Sequence, residues 1–142
     1  MPVAIDIADA VVAELTGGEF SQAFTPERRV LPVFELADLA ALRVTVVPKA
    51  VEITGSTRAI GQYDIQVDVG VQKKLGADLD AETAELCCLV DEIADYLRQR
   101  PLAAAPYANW VRTANDPVYA PEHLFEKRTF TSVLTLTYRA MK

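Results

Sequence analysis

The sequence predicts an α+β fold, in which a largely antiparallel mixed sheet of four to five strands carries two helices packed on one face. Two observations indicate strands: residues 62–72 alternate strictly between polar and apolar side chains, and a threonine-rich segment near the end of the chain alternates again. A third observation indicates helices, because apolar residues recur at helical spacing in two other segments. The predicted element order is α, β, β, β, α, β, β.

The first predicted helix covers residues 5–15. Its apolar residues fall at helical spacing, and Asp6 and Asp9 lie near its start, where a carboxylate interacts favourably with the helix dipole. Gly17 and Gly18 supply the expected stop. The following residues, 20–42, give a weaker pattern: an extended stretch interrupted by Pro26 and Pro32. Proline lacks the N–H that a central strand needs, so this stretch is predicted to lie at a sheet edge or bulge.

Two strands are predicted next. Arg43–Val47 is β-branched and apolar, and the pattern resumes after Pro48 through Ile53. Residues 63–71 then place every second side chain inward, which is typical of a half-buried strand. The two strands are predicted to form a long antiparallel hairpin, whose connector at residues 54–61 is too long for a tight turn.

The second predicted helix starts at Asp80, interpreted as its N-cap, and Pro101 ends it. One apolar stripe along it is formed by Leu86, Leu89, Val90, Ile93 and Leu97. Its flank is acidic, through Asp78, Asp80, Glu82, Glu85, Asp91, Glu92 and Asp95. Such a flank is either solvated or an electrostatic contact for a basic partner.

The last third of the chain predicts two further strands. Trp110–Thr113 gives a weak signal, closed by a turn at residues 115–117, whereas Arg128–Ala140 gives a strong one. The predicted inward side chains of this last strand are Phe130, Leu134, Leu136 and Tyr138. The other side carries Thr129, Thr131, Thr135 and Thr137, which suit a solvated or interface-facing sheet surface.

Composition limits the function classes. A length of 142 residues with 51% hydrophobic content suits a single domain spanning residues 1–142. A net charge of −6 argues against a nucleic-acid clamp, which needs a basic face. No apolar run is long enough to cross a membrane, and the first nine residues lack the basic residues of a signal peptide, so we expect cytoplasmic synthesis. Cys87 and Cys88 are adjacent and predicted to be small buried or half-buried residues in a reducing compartment.

The search for catalytic chemistry yields few candidates. The single histidine, His123, lies in a segment that is predicted to be a loop, and the sequence contains no zinc spacing, phosphate-binding loop or dinucleotide fingerprint. Asp64 and Asp68 share the polar side of one strand, but four residues along a strand separate them by roughly 13 Å, too far to share a metal directly. We therefore predict no catalytic residue, no metal and no cofactor. A small enzyme or ligand-binding domain that uses Asp64, Asp68 or His123 is the rival hypothesis.

The connector between the two long strands is a candidate protein interface. A polar loop bounded by glycines is either simply flexible or becomes ordered on contact with a neighbour. In the second case Arg58 is the residue expected to pair with an acidic surface. The candidate interface residues are Gly55, Ser56, Thr57, Arg58, Asp64 and Asp68.

Several stretches resemble the small tail terminator proteins of long-tailed bacteriophages (tail completion, minor tail protein U-like). The resemblance covers most of the chain, as a pattern and an order of elements rather than a fixed motif. The stretches that carry it are Ile5–Leu15, Arg43–Pro48, Tyr63–Lys74, Glu82–Leu97 and Thr129–Tyr138.

This resemblance implies a non-enzymatic α/β subunit of a hexameric ring at the head-proximal end of the tail tube. The ring would stop tube growth and support head–tail joining, with a tail tube protein and a head-completion or connector protein as partners. DNA would only pass through its pore, no membrane would be involved, and the assembled protein would lie in the virion tail after synthesis in the bacterial host. The alternative assembly role is that of a head–tail connector or neck protein.

Overall fold

The computed structural model describes residues 2–30 and 40–142, apart from the side chains of residues 126 and 127. Within these residues the chain forms three helices and five strands. The helices are α1 (Val3–Thr16), α2 (Leu79–Leu97) and α3 (Pro121–Lys127). The strands are β1 (Pro26–Arg28), β2 (Arg43–Gly55), β3 (Gly61–Lys74), β4 (Asn109–Asn115) and β5 (Thr129–Met141).

The strands form one sheet in the order β1-β2-β3-β5-β4. β1 runs parallel to β2, and the other neighbours are antiparallel. The α+β class and the largely antiparallel mixed sheet that the sequence predicts are therefore confirmed. The position of Pro26 in an edge strand is also confirmed, whereas Pro32 lies outside the described residues.

Both long helices pack on the same face of the sheet. α1 lies against β1, β2 and β3, and α2 lies against β5. The Tyr96 hydroxyl of α2 donates a hydrogen bond to the Glu14 carbonyl of α1 at 3.0 Å, so the two helices are neighbours. The core lies between them and alternate residues of the strands, and its largest fully buried side chains include Tyr138, Phe130, Ile7, Leu89 and Ile93.

The connection after α1 is close-packed. Gly17, the C-cap residue, keeps a right-handed φ of −83°, so the helix ends without a left-handed glycine turn. Gly18 is required for a different reason: a Cβ there would lie 2.7 Å from the Phe20 ring and 3.0 Å from the Tyr96 ring. Gly18 therefore allows two aromatic rings to approach the backbone where α1 meets α2.

Two local predictions are wrong. The N-cap of α2 is Asp78, not Asp80: the Asp78 carboxylate accepts from the Ala81 N–H at 3.1 Å, while Asp80 lies in the first turn. The segment around His123 is also not a loop. It forms α3, which begins with Pro121 at its first turn and ends at Arg128 in the left-handed conformation, with φ 49°.

Candidate functional site

The second half of β2 and the turn that follows it are exposed. Every residue from 49 to 60 is exposed, although the two strands remain paired as far as Gly55 and Gly61. We call residues 49–60 the hairpin arm. The first half of β2 is buried, and so is Ile65 of β3 beside Val51, so the arm is an exposed extension of the core sheet along β2.

The arm presents apolar side chains on the face that elsewhere forms the core. The register shifts between Pro48 and Ala50, which leaves Lys49 as an extra residue. Because a bulge reverses the alternation, Val51 and Ile53 then pair with inward-facing residues of β3 and lie on the helix side of the sheet. Val51 is 39% exposed and Ile53 is 61% exposed, whereas Val46 on the same face is fully buried. The arm thus carries an exposed apolar surface.

The outer edge of β2 is also open along the arm. β1 pairs only with Val44–Val46, and the Arg29 N–H donates to the Val46 carbonyl at 3.0 Å. Beyond that point no described strand pairs with this edge of β2. An open strand edge beside an apolar face is a surface suited to contact with another chain.

The tip of the arm is closed by its own hydrogen bonds. The N–H groups of Ser56 and Thr57 both donate to the Ile60 carbonyl, at 3.2 and 3.0 Å, and the Ile60 N–H donates to the Thr57 hydroxyl at 3.1 Å. Arg58, the single charged residue of the tip, forms no hydrogen bond or ion pair with the described part of the chain. The connector predicted at residues 54–61 is therefore shorter: Thr54, Gly55 and Gly61 belong to the paired strands, and residues 56–60 form a compact, exposed turn in which Arg58 has no partner among the described residues.

The predicted carboxylates Asp64 and Asp68 lie on the opposite, outer face of the sheet. Asp64 accepts from the Arg139 Nε at 2.8 Å, and this hydrogen bond holds the pKa of its carboxyl below the ordinary value of 3.8. Asp68 accepts from the Thr135 hydroxyl at 2.6 Å and lies 3.9 Å from the Lys49 Nζ. Both aspartates belong to a network of cross-strand pairs, and neither lies on the apolar face of the arm.

The structure does not bring His123 to these carboxylates. Its Nδ1 lies 2.9 Å from the Thr131 hydroxyl. Along β5, Thr131 lies eight residues from Arg139, the partner of Asp64, and four from Thr135, the partner of Asp68. At the rise of a strand these separations are about 26 Å and about 13 Å. Among the described residues, no group of three or more His, Cys, Asp or Glu side chains could hold a metal ion.

A groove between α2 and α3 was missed by sequence reasoning. It has a volume of about 570 Å³ and lies beside the first turns of α2. We call it the α2–α3 groove, and it is lined by Leu79, Asp80, Thr83, Ala84, Tyr119, Pro121, Leu124 and Phe125. Phe125 is 90% exposed at its wall. Pro121 could have indicated from the sequence that a helix begins there, because proline is common in the first turn of a helix. A predicted α3 would in turn have suggested a groove beside it.

The burial of the two cysteines agrees only partly with the prediction from the sequence. Cys87 is half-buried, as predicted, but Cys88 is exposed. Burial raises the pKa of the Cys87 thiol, and the nearby Asp91 carboxylate adds to this effect. Cys87 therefore favours the neutral thiol.

The comparisons with family models and with curated proteins found no relative. No known family model matches this sequence, and no curated protein aligns with it significantly.

None of the helices that the structure describes is long and apolar enough to cross a membrane.

Proposed function

We propose that this protein is a structural subunit of a bacteriophage or prophage tail, assembled into a hexameric ring that ends the tail tube and supports joining to the head. The observation that carries the proposal is the hairpin arm, whose apolar side chains are exposed and whose outer strand edge pairs with none of the described strands. A surface of this kind is suited to association between subunits.

The placement of the arm supports a ring. A ring requires head-to-tail contacts, in which each subunit uses two different surfaces. The arm lies at one end of β3, and the α2–α3 groove lies near the opposite end, beside residues that follow Lys74. Two distinct apolar surfaces at opposite ends of one sheet meet that requirement.

Sequence pattern and charge support the tail assignment. The stretches that resemble the tail terminator proteins lie, in chain order, in α1, β2, β3, α2 and β5. The formal net charge is −6. An acidic ring suits a channel that DNA crosses, because a basic lining would bind the phosphates. The proposed contacts are with copies of this chain, the tail tube protein and a head-completion protein.

The first test is the oligomeric state of the purified protein. Sedimentation velocity over a wide concentration range should detect a species with the mass of six 15.6-kDa chains, and negative-stain electron microscopy should show rings. A protein that stays monomeric at every concentration, with and without the tail tube protein proposed as its partner, would refute the ring.

A second test separates the tube-ending role from the connector role. The protein is added to the polymerising tail tube protein that is its proposed partner, and tube length is measured by electron microscopy. A terminator should shorten the tubes and bind at one end of each. A head–tail connector would form rings but leave the length of the tubes unchanged.

A further inference from the structure

We propose that the hairpin arm of one subunit docks into the α2–α3 groove of the next copy of this chain. This inference rests on the proposed ring and deepens it, because it names both halves of the contact between subunits. The occupant of the groove is therefore a second copy, and the contact is head-to-tail.

The groove has the chemistry to receive an apolar hairpin. Leu79 and Leu124 are partly buried at its base, while Tyr119 and Phe125 remain exposed at its walls. Among the lining residues whose side chains the structure describes, Asp80 is the only charged one. The groove is therefore an apolar cleft with one exposed carboxylate.

The arm matches this cleft in both respects. Val51, Ile53 and Ile60 give it exposed apolar side chains, and Ile60 at the tip is 43% exposed. Arg58 is the only charged residue of the tip and lacks a partner within the described residues. In the proposed contact the apolar face of the hairpin arm, with Arg58 at its tip, meets the apolar α2–α3 groove that carries Asp80. In such a contact apolar burial supplies affinity, and the charge pair fixes the register.

The surroundings of Asp80 strengthen the electrostatic match. The first two turns of α2 also carry Glu82 and Glu85, and Asp78 caps the helix. Asp78 and Glu82 are engaged locally, because they accept from the N–H groups of Ala81 and Gly76. Asp80 lines the groove without such a bond among the described residues, and it is therefore the carboxylate available to Arg58.

Geometry excludes docking within one molecule. The arm begins opposite Gln66 of β3, and the groove lies beyond Lys74, eight residues further along the strand. At the rise of a strand this distance is about 26 Å, and the arm points away from the groove. The arm of one chain can therefore reach only the groove of another chain.

Site-directed cross-linking tests the contact. In a background with Cys87→Ser and Cys88→Ser, one chain carries Ile53→Cys and a second chain carries Ala84→Cys, in the groove. Mild oxidation of the equimolar mixture should yield a disulfide-linked heterodimer. The matched control replaces Ala84→Cys by Asp95→Cys, an exposed position near the other end of α2, and should yield little of it.

A charge reversal provides an independent measurement. Arg58→Glu and Asp80→Arg should each weaken self-association about fivefold in sedimentation velocity, as expected for one exposed ion pair. Combining the two in one chain restores opposite charges and should recover most of the loss. Arg98→Glu and Asp91→Arg make the same charge changes at exposed positions outside the groove and should leave association unchanged.

The outcomes separate this contact from the ring itself. If rings form but Ile53→Cys cross-links to the groove no better than to the control, the arm–groove contact is wrong while the ring stands. Rings in which the Ala84→Cys thiol stays open to alkylation would assign the groove to another partner. If no oligomer forms under any condition, both proposals fail.

Discussion

The two halves of β2 present apolar side chains to the same face of the sheet but have opposite environments. In the half beneath the helices, Val44 and Val46 are buried. In the arm, Val51 and Ile53 lie on the same face and are exposed. The comparison teaches that the spacing of apolar residues along a strand determines which face of the sheet they lie on. Whether they are buried depends on what packs against that face.

The position of β2 in the sheet explains the difference. Opposite Val51, Ile65 of β3 is fully buried, and so is Tyr138 of β5 beside it, so the centre of the sheet is covered at this level. β2 lies nearer the edge of the sheet, and β1 pairs only with its first half. The buried half of β2 stabilises the fold, and the exposed half is available for assembly.

The largest expected effect is in the covered half of the sheet. Phe130 of β5 is fully buried, so Phe130→Ala should lower the free energy of unfolding by about 3–5 kcal/mol, measured by urea denaturation. Val51→Ala in the arm should change it by less than about 0.5 kcal/mol. Equal losses for both variants would contradict the division between the two halves.

The next effect concerns assembly alone. Val51→Ser combined with Ile53→Ser removes the apolar face of the arm and should weaken self-association at least about tenfold, without lowering the melting temperature of the monomer. Glu52→Ser, on the opposite face of the same strand, is the matched control and should have little effect. Rings of unaltered stability in the double variant would show that this face is not used.

A smaller effect is expected at the start of α2. Asp78→Ala removes the N-cap hydrogen bond to the Ala81 N–H and should cost about 1 kcal/mol of stability. Asp80→Ala should cost less, because Asp80 accepts no capping bond in the described structure. Thermal unfolding of the two variants side by side distinguishes the positions, and a larger loss for Asp80→Ala would reverse the assignment.

The smallest effect lies on the outer face of the sheet and depends on pH. The hydrogen bond from Arg139 lowers the pKa of Asp64 in the folded state, so its stabilising contribution is present above the ordinary value of 3.8 and is lost as pH falls through the lower folded pKa. In urea titrations, Asp64→Asn should flatten the acid side of the stability profile. Arg139→Gln should flatten the same region, and an unchanged acid slope in both would contradict the role of this pair.

Sequence pattern predicted the elements whose side chains alternate over many residues. β3, β5 and α2 each carry a long period, and their inward faces are buried as predicted, from Ile65 to Val71 and from Phe130 to Tyr138. α3 escaped prediction because seven residues contain too few turns to establish a helical period. The exposed arm residues Gly55–Arg58 were selected from the sequence, whereas the groove required knowledge of where α3 packs.

The cap of α2 illustrates the same limit at a single residue. Asp78 and Asp80 are equally good cap residues by type. The choice follows from the path of the chain after β3, where the Gly76 N–H donates to Glu82 and the Leu75 N–H donates to the Arg128 carbonyl. These contacts fix where the helix begins.

The sequence by itself determined the α+β class, the order of the main elements and the apolar face of each long strand, because these depend on local periodicity. Tertiary structure alone decided that the second half of β2 is exposed beside a buried β3 and that α3 forms a groove with α2. Both outcomes depend on how elements distant in sequence are positioned over the sheet, and the pattern of residues along one strand contains no information about that position.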